Sequence, residues 1–186
     1  MIPRFKPQYG WREWLAAWRF TRGNIPAYEA AFARKFGVEH GTMFPHGRSG
    51  MYALFKVWGL EKAEIVCPAY TCVVVQHAVV LSDNVPVFVD CPEGDFNMDL
   101  GKLEAAITEK TRCVVATHLF GYPTDLDALG AIVARAEEKY GHKIYVLQDV
   151  AHSYGTEWNG RLVTEYGDAA IFGWNQQCPA NKSTCS

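Results

Sequence analysis

Asp149 is the residue whose type and position most clearly suggest chemistry. It follows the short apolar run 144–148, which is typical of a buried strand, and it precedes a turn of small residues that contains Ala151 and His152. Ligands of open α/β sheets bind just outside the carboxyl ends of the strands, so an acid at this point would face a binding site. An aspartate here could also simply cap the next turn or helix.

A glycine-rich turn at residues 46–50 (His-Gly-Arg-Ser-Gly) leads into a predicted helix. The backbone N–H groups and the dipole at the start of a helix can hold a phosphate. The turn does not match GxGxxG and lacks the GK[ST] ending of a nucleotide-binding P-loop, so a plain turn is an equally good interpretation. Two further predicted strand ends carry side chains that could contact or react with a ligand, Tyr70 and His118.

Together these features predict a class of ligand. A phosphate cradle, an aromatic wall and a carboxylate at adjacent strand ends would suit a phosphorylated aromatic cofactor, and pyridoxal 5'-phosphate (PLP) is the obvious candidate. A carboxylate beside the pyridine nitrogen of that cofactor keeps the nitrogen protonated, so that the ring can accept electrons. No metal site is predicted, because the sequence has no CxxC pair and no His/Cys cluster at zinc spacing.

The elements that would position these residues alternate between strand-like and helical runs. Strands are predicted over residues 41–44, 64–67, 85–90, 112–118, 143–148 and 168–172. Helices are predicted over residues 11–20, 28–36, 51–58, 72–80, 101–107 and 125–140, with Thr71 and Thr124 as N-caps of the helices that follow them. This alternation predicts an α/β fold with a mostly parallel sheet and helices on both of its faces.

The predicted N-terminal helix has an apolar face formed by Trp11, Trp14, Leu15 and Trp18. Such a face either folds back on the domain or packs against a second subunit, and a subunit interface is favoured because tryptophan is enriched in interfaces. We therefore predict an N-terminal helical arm over residues 1–38, a ligand-binding domain over residues 39–174 and a polar tail over residues 175–186.

Composition narrows the class of protein. Apolar residues make up 49% of the 186 residues and charged residues 20%, as in ordinary globular proteins with a core. The net charge of −2 gives no reason to expect nucleic acid as a partner, and no apolar run approaches the roughly 20 residues that span a membrane. The absence of a signal-peptide pattern and six cysteines that need no disulfides predict a cytoplasmic protein.

The sequence resembles the DegT/DnrJ/StrS family of PLP-dependent sugar aminotransferases through nearly the whole chain, as far as Trp174. The resemblance rests on the order and spacing of eight segments, which include 118–121 (His-Leu-Phe-Gly) and 148–152 (Gln-Asp-Val-Ala-His). The eight segments are residues 47–54, 65–71, 86–90, 96–99, 103–107, 118–121, 148–152 and 167–168. The resemblance implies the large domain of a fold type I PLP-dependent transferase, in incomplete form.

The resemblance also implies roles for individual residues. Asp149 would pair with the pyridinium nitrogen, and His152 would hydrogen-bond the phenolic oxygen of the cofactor from a position that is commonly glutamine. Gly47, Arg48 and Ser49 match the turn that holds the phosphate, where Arg48 replaces a residue that is usually small and hydroxylated.

Two further positions depart from the family pattern. Cys72 falls where the family usually has the aromatic residue that stacks on the cofactor ring, and Cys178 falls where it has the Schiff-base lysine. Lys182 lies four residues later, too far along the chain to bring its amine to the same place. The matching stops from Asn175 onward, so we expect a chain truncated before the catalytic lysine, with no catalytic residue of its own.

The resemblance thus implies a PLP-dependent aminotransferase of nucleotide-linked keto-sugars, with glutamate as amino donor, that serves polysaccharide or deoxyaminosugar biosynthesis as a homodimer. The 186-residue chain itself is expected to be inactive. The alternative is a non-catalytic remnant or paralogue that binds partners through the tryptophan-rich helix. A lysine-independent enzyme that uses His152 for proton transfer is a weaker third hypothesis, because such relatives carry histidine at the position of Cys178.

Overall fold

The computed structural model describes residues 10–11, 14–15 and 24–173. The chain divides into two compact units, residues 1–43 and 44–186, and each unit is described by itself. Trp18, Cys178, Lys182 and the predicted tail at residues 175–186 lie outside the described residues. The proposed limits at residues 38 and 174 remain predictions.

The first unit contains helix α1, Asn24–Lys35. Tyr28, Phe32 and Phe36 lie along one side of it, with neighbouring ring centroids 5.8 and 4.7 Å apart. The strand predicted over residues 41–44 does not form. The N–H group of Met43 donates to Glu29 Oε1 at 2.8 Å, so a side chain takes a donor that a strand would offer to its neighbour.

The described part of the second unit is built on five parallel strands. They are β1 (Glu64–Pro68), β2 (Val85–Val89), β3 (Thr111–Thr117), β4 (Tyr145–Asp149) and β7 (Ala169–Ile171). Their order in the sheet is β2-β1-β3-β4-β7, and all four pairings are parallel. The predicted α/β class with a mostly parallel sheet is confirmed. Strands β5 (Glu157–Trp158) and β6 (Arg161–Leu162) form a separate antiparallel hairpin that the sequence pattern did not predict.

Helices cover both faces of this sheet. They are α2 (Gly47–Val57), α3 (Val73–Leu81), α4 (Leu100–Ala106) and α5 (Leu126–Tyr140), with short 3₁₀ turns at Leu119–Gly121 and Val163–Glu165. One buried apolar cluster joins α2 and α3 to the sheet, and a second joins α4 and α5 to it. Among the described residues, no helix is both long and apolar enough to cross a membrane.

Both predicted N-caps were wrong by one residue. The cap of α3 is Cys72 rather than Thr71, and the cap of α5 is Asp125 rather than Thr124. Asp125 Oδ1 accepts a hydrogen bond from Ala128 N at 2.9 Å. A carboxylate at a helix N-terminus also interacts favourably with the helix dipole, which a hydroxyl group does not.

The order of the strands determines where a ligand can bind. The connection from β1 leads to β2 on one side of the sheet, and the connection from β3 leads to β4 on the other side, so a crevice opens between β1 and β3 outside the carboxyl ends of the strands. The register places Thr117 of β3 beside Asp149 of β4, and Asp149 beside Ile171 of β7. These strand ends therefore meet at one edge of the sheet.

Residues Gly167 and Asp168 attach β7 to the rest of the sheet. Asp168 N donates to Val146 O at 2.9 Å, and Asp168 Oδ2 accepts from Val146 N at 2.8 Å. Lys143 Nζ lies 3.2 Å from Asp168 Oδ1. Gly167 has a φ of +78°, and a Cβ atom at this position would lie 2.8 Å from Val146 O, so only glycine is compatible with this geometry.

Candidate functional site at the carboxyl edge of the sheet

Asp149 is a buried carboxylate at the end of β4, with 4% of its surface exposed. Its Oδ1 accepts from Ala151 N at 3.1 Å, and its Oδ2 accepts from the Thr117 hydroxyl at 3.3 Å. Burial raises the pKa of Asp149, against the opposing effects of these two hydrogen bonds and of the His152 charge. The fold therefore holds an acid where its negative charge is poorly solvated, and a cationic partner would stabilise that charge.

Two threonines connect Asp149 to the loop that follows β1. Thr117 Oγ1 lies 3.4 Å from Thr71 Oγ1 as well as donating to Asp149. Cys72 is the next residue and is exposed at the start of α3, so the structure brings it to the same edge. Thr117 was missed by sequence reasoning, although its place at the carboxyl end of a neighbouring predicted strand could have indicated it.

The glycine-rich turn begins α2 one strand away from Asp149. A Cβ atom on Gly47 would lie 3.6 Å from the Ile171 side chain, and Ile171 is the register partner of Asp149. The N–H groups of Ser49 and Gly50 donate to His46 O at 3.0 and 3.3 Å. The N–H groups of Gly47 and Arg48, the first two helical residues, point out of the helix end, as at any helix start. The predicted phosphate turn, with exposed Arg48 and half-buried Ser49, thus lies at the same edge as the acid.

His152 lies in the turn after β4 and is exposed. Its ring stacks on Phe120, with centroids 5.9 Å apart and an interplanar angle of 24°. The turn is held to β7 by a hydrogen bond from Val150 N to Ile171 O at 2.9 Å. The structure therefore brings together Asp149, His152, Cys72 and the 47–49 turn, while the functional role of each remains a prediction.

Cys67 and His118 are buried near this edge, but neither is available for catalysis. Burial and the Asp149 charge raise the pKa of the Cys67 thiol to about 12, which keeps it neutral. His118 Nδ1 accepts from Thr124 N at 3.1 Å, so the ring proton is on Nε2, which lies 2.8 Å from Gln148 Oε1. Burial lowers the pKa of His118, partly offset by the Gln148 contact. His118 is therefore a neutral structural residue.

This neutral histidine predicts a pH dependence of stability. The folded-state pKa of His118 lies below its ordinary value of 6.5, so the unfolded chain takes up a proton first as the pH falls. Stability is then lost as the pH falls through 6.5 towards the folded-state pKa, by up to about 1.4 kcal/mol per pH unit. Urea unfolding between pH 7.5 and 5.5 should show a steeper loss for the wild type than for His118→Asn, and parallel losses would contradict this assignment.

The chain matches a known family over most of its length. Residues 11–177 match the family model of the DegT/DnrJ/EryC1/StrS aminotransferase family. The chain belongs to this family. Among the described residues, no group of three or more His, Cys, Asp or Glu side chains is placed to hold a metal ion.

Individual members of the DegT/DnrJ/EryC1/StrS family show how far the similarity extends. The chain is 31% identical over 156 residues to the pleiotropic regulatory protein of Geobacillus stearothermophilus, covering 83% of this chain and 40% of that protein. It is 26% identical over 159 residues to GDP-perosamine synthase of Escherichia coli O157:H7, covering 84% and 42%. The chain thus spans about two fifths of the length of these relatives.

A solved structure supports the fold assignment. Spr1654 from Streptococcus pneumoniae, in its PLP form, superposes with a TM-score of 0.78 at 22% identity and covers 85% of this chain and 44% of that one. The predicted family and the fold type I architecture are both confirmed. The prediction that Cys178 stands at the position of the Schiff-base lysine concerns a residue outside those that the structure describes.

Proposed function

We propose that this chain is the cofactor-binding part of a PLP-dependent aminotransferase that acts on a nucleotide-linked keto-sugar with glutamate as amino donor. Membership of the aminotransferase family supports the reaction class. Similarity to GDP-perosamine synthase, whose name gives a GDP-linked sugar, supports the substrate class. A cytoplasmic homodimer in polysaccharide or deoxyaminosugar biosynthesis is part of the same proposal.

The observation that carries the proposal is the pairing of a buried acid with a helix start one strand away. PLP has a basic ring nitrogen at one end and a phosphate at the other. Asp149 is buried with an unfavourably solvated charge, and the start of α2 packs against Ile171 beside it. The acid fits the protonated nitrogen, and the helix start fits the phosphate.

The residues of this chain would then have distinct tasks. Asp149 would keep the proton on the ring nitrogen, and His152 would donate to the phenolic oxygen. The turn formed by Gly47, Arg48 and Ser49 would bind the phosphate. Cys72 offers a smaller contact surface than the aromatic residue usual at its position, so the ring would be held less tightly on that side. When bound, the cofactor supplies the electron sink that amine transfer requires.

The test is a titration of the purified 186-residue chain with PLP, in which binding is monitored by tryptophan fluorescence and by absorbance. We expect saturable binding that dialysis reverses, because the resemblance places Cys178 where the covalent link would form. For the same reason, added glutamate should yield no 2-oxoglutarate. Detectable turnover would contradict the expectation that this chain is inactive.

The PLP titration, combined with a mass measurement by light scattering, addresses the alternative function. Trp11 and Trp14 are 70% and 65% exposed, which favours partner binding through the tryptophan-rich face. A chain that does not bind PLP but has the mass of a dimer by light scattering would support the non-catalytic, partner-binding function. A monomer that binds PLP would argue against it.

A further inference from the structure

Phe120 has a backbone conformation that bulky residues rarely adopt. Its φ and ψ angles are 55° and 20°, in the left-handed region where the Cβ atom of an L-residue crowds the following carbonyl group. Such a conformation persists only where the surroundings impose it, and residues of this kind cluster at functional sites. The strain at Phe120 therefore calls for a functional explanation.

Asn97 fixes the loop on both sides of Phe120. Its Oδ1 accepts from Leu119 N at 3.3 Å, and its Nδ2 donates to Tyr122 O at 3.1 Å. A further hydrogen bond from Tyr122 N to Leu119 O at 2.9 Å closes the turn. The loop is thus held by a buried side chain from another segment, which imposes the left-handed conformation on Phe120.

Burial does not explain where the Phe120 side chain lies. The residue is 57% exposed, so the strained conformation gains little from removing the ring from water. What the conformation does achieve is contact with two rings. Phe96 meets Phe120 edge-on at 5.2 Å and 79°, and His152 stacks on it at 5.9 Å and 24°. Phe96 supports the ring from one side, and the ring presents its face to His152.

We infer that Phe120 is a positioning residue that holds the His152 imidazole parallel to its own ring. An exposed histidine otherwise samples several rotamers, and a hydrogen bond to a ligand then requires one of them to be selected at an entropic cost. The stack selects one orientation in advance. The contact between the two rings follows from the geometry of this chain alone, whereas its contribution to PLP affinity rests on the proposed function.

The first test needs no cofactor. A phenyl ring stacked on an imidazole shifts the His152 ring-proton resonances upfield, and loss of a signal in His152→Ala assigns them. We expect Phe120→Tyr to keep this shift. Phe120→Leu, which is strained in the same way but has no ring, should lose it. An unchanged His152 shift in Phe120→Leu would overturn the inference.

The second test is a double-mutant cycle on PLP affinity. Phe120→Leu should raise the Kd by about five-fold and Phe120→Tyr by less than about two-fold, while Phe120→Leu should have no further effect in a His152→Ala background. Phe120→Gly is a second ring-free variant that relieves the strained φ, so a matching loss of affinity there excludes misfolding as the cause. An equal effect of Phe120→Leu in both backgrounds would overturn the inference. If the wild type does not bind PLP, the proposed function fails while the resonance shifts still decide the stack.

Discussion

Asp149→Asn is expected to weaken PLP binding by about 10- to 100-fold, because a charge-assisted hydrogen bond contributes about 1.5–3 kcal/mol. The same change is expected to stabilise the chain without cofactor. Burial raises the pKa of Asp149 above its ordinary value of 3.8, so the penalty for ionising it grows as the pH rises from 3.8 through the folded-state pKa. At pH 7.5 asparagine removes that penalty, and each kcal/mol gained raises the Tm by about 2–4 °C in a chain of this size.

Asp90 provides the matched control for this experiment. It also follows a strand of the sheet, but it is exposed. Asp90→Asn should leave both the PLP affinity and the Tm close to those of the wild type. Only Asp149→Asn should both lower the PLP affinity and raise the Tm. The gain in Tm should disappear near pH 3.8, where the carboxyl group of Asp149 is largely protonated in the folded chain. A lower Tm for Asp149→Asn at pH 7.5 would mean that its hydrogen bonds outweigh the cost of burying its charge.

Gly167→Ala is expected to destabilise the fold by about 3 kcal/mol or more. Two costs add at this position. The φ of +78° is unfavourable for any residue with a Cβ atom, and that atom would lie 2.8 Å from the backbone oxygen of Val146. A backbone oxygen of a central strand cannot move aside without disturbing the pairing of β4 with β7. Urea unfolding measures the loss directly.

Gly141→Ala separates the two costs. Gly141 ends α5 with a φ of +69°, and a Cβ atom there would meet nothing within 4 Å. Alanine should therefore cost only about 1 kcal/mol at this position. If both alanine variants lost the same stability, the close approach to Val146 would have no energetic consequence, and Asp168 with Lys143 would be sufficient to hold β7.

The fold could be predicted because its strands and helices are marked by patterns within each segment. β3 is almost entirely buried and shows a continuous apolar run, as parallel strands covered on both faces do. The failures have a common cause. Residues 41–44 and the hairpin strands β5 and β6 are too short for periodicity to distinguish a strand from a loop, and their state depends on the partners that tertiary structure supplies.

The site could be predicted only in part. Asp149 and the 47–49 turn were found because each follows or precedes a recognisable element. The position of Thr117 at the end of a predicted strand could have indicated the edge on which it lies, but its contact with Asp149 depends on the register between β3 and β4, which the sequence does not show. Phe120 was also missed, since a left-handed conformation is expected of glycine or asparagine, and it arises here from the hydrogen bonds of Asn97.

The strand order also has a consequence for how the chain folds. Thr71, Thr117, Asp149 and Ile171 come from segments that span one hundred residues, and they meet only when all the central strands have paired. Parallel pairing between distant segments is slow, because chain entropy is lost before the contacts form. The site is thus completed last, and a ligand that needs all of it binds only fully folded molecules. By mass action, such a ligand draws the folding equilibrium towards the native state as its concentration exceeds its Kd. Cofactor supply during synthesis would then set how much of this chain survives proteolysis in the cell.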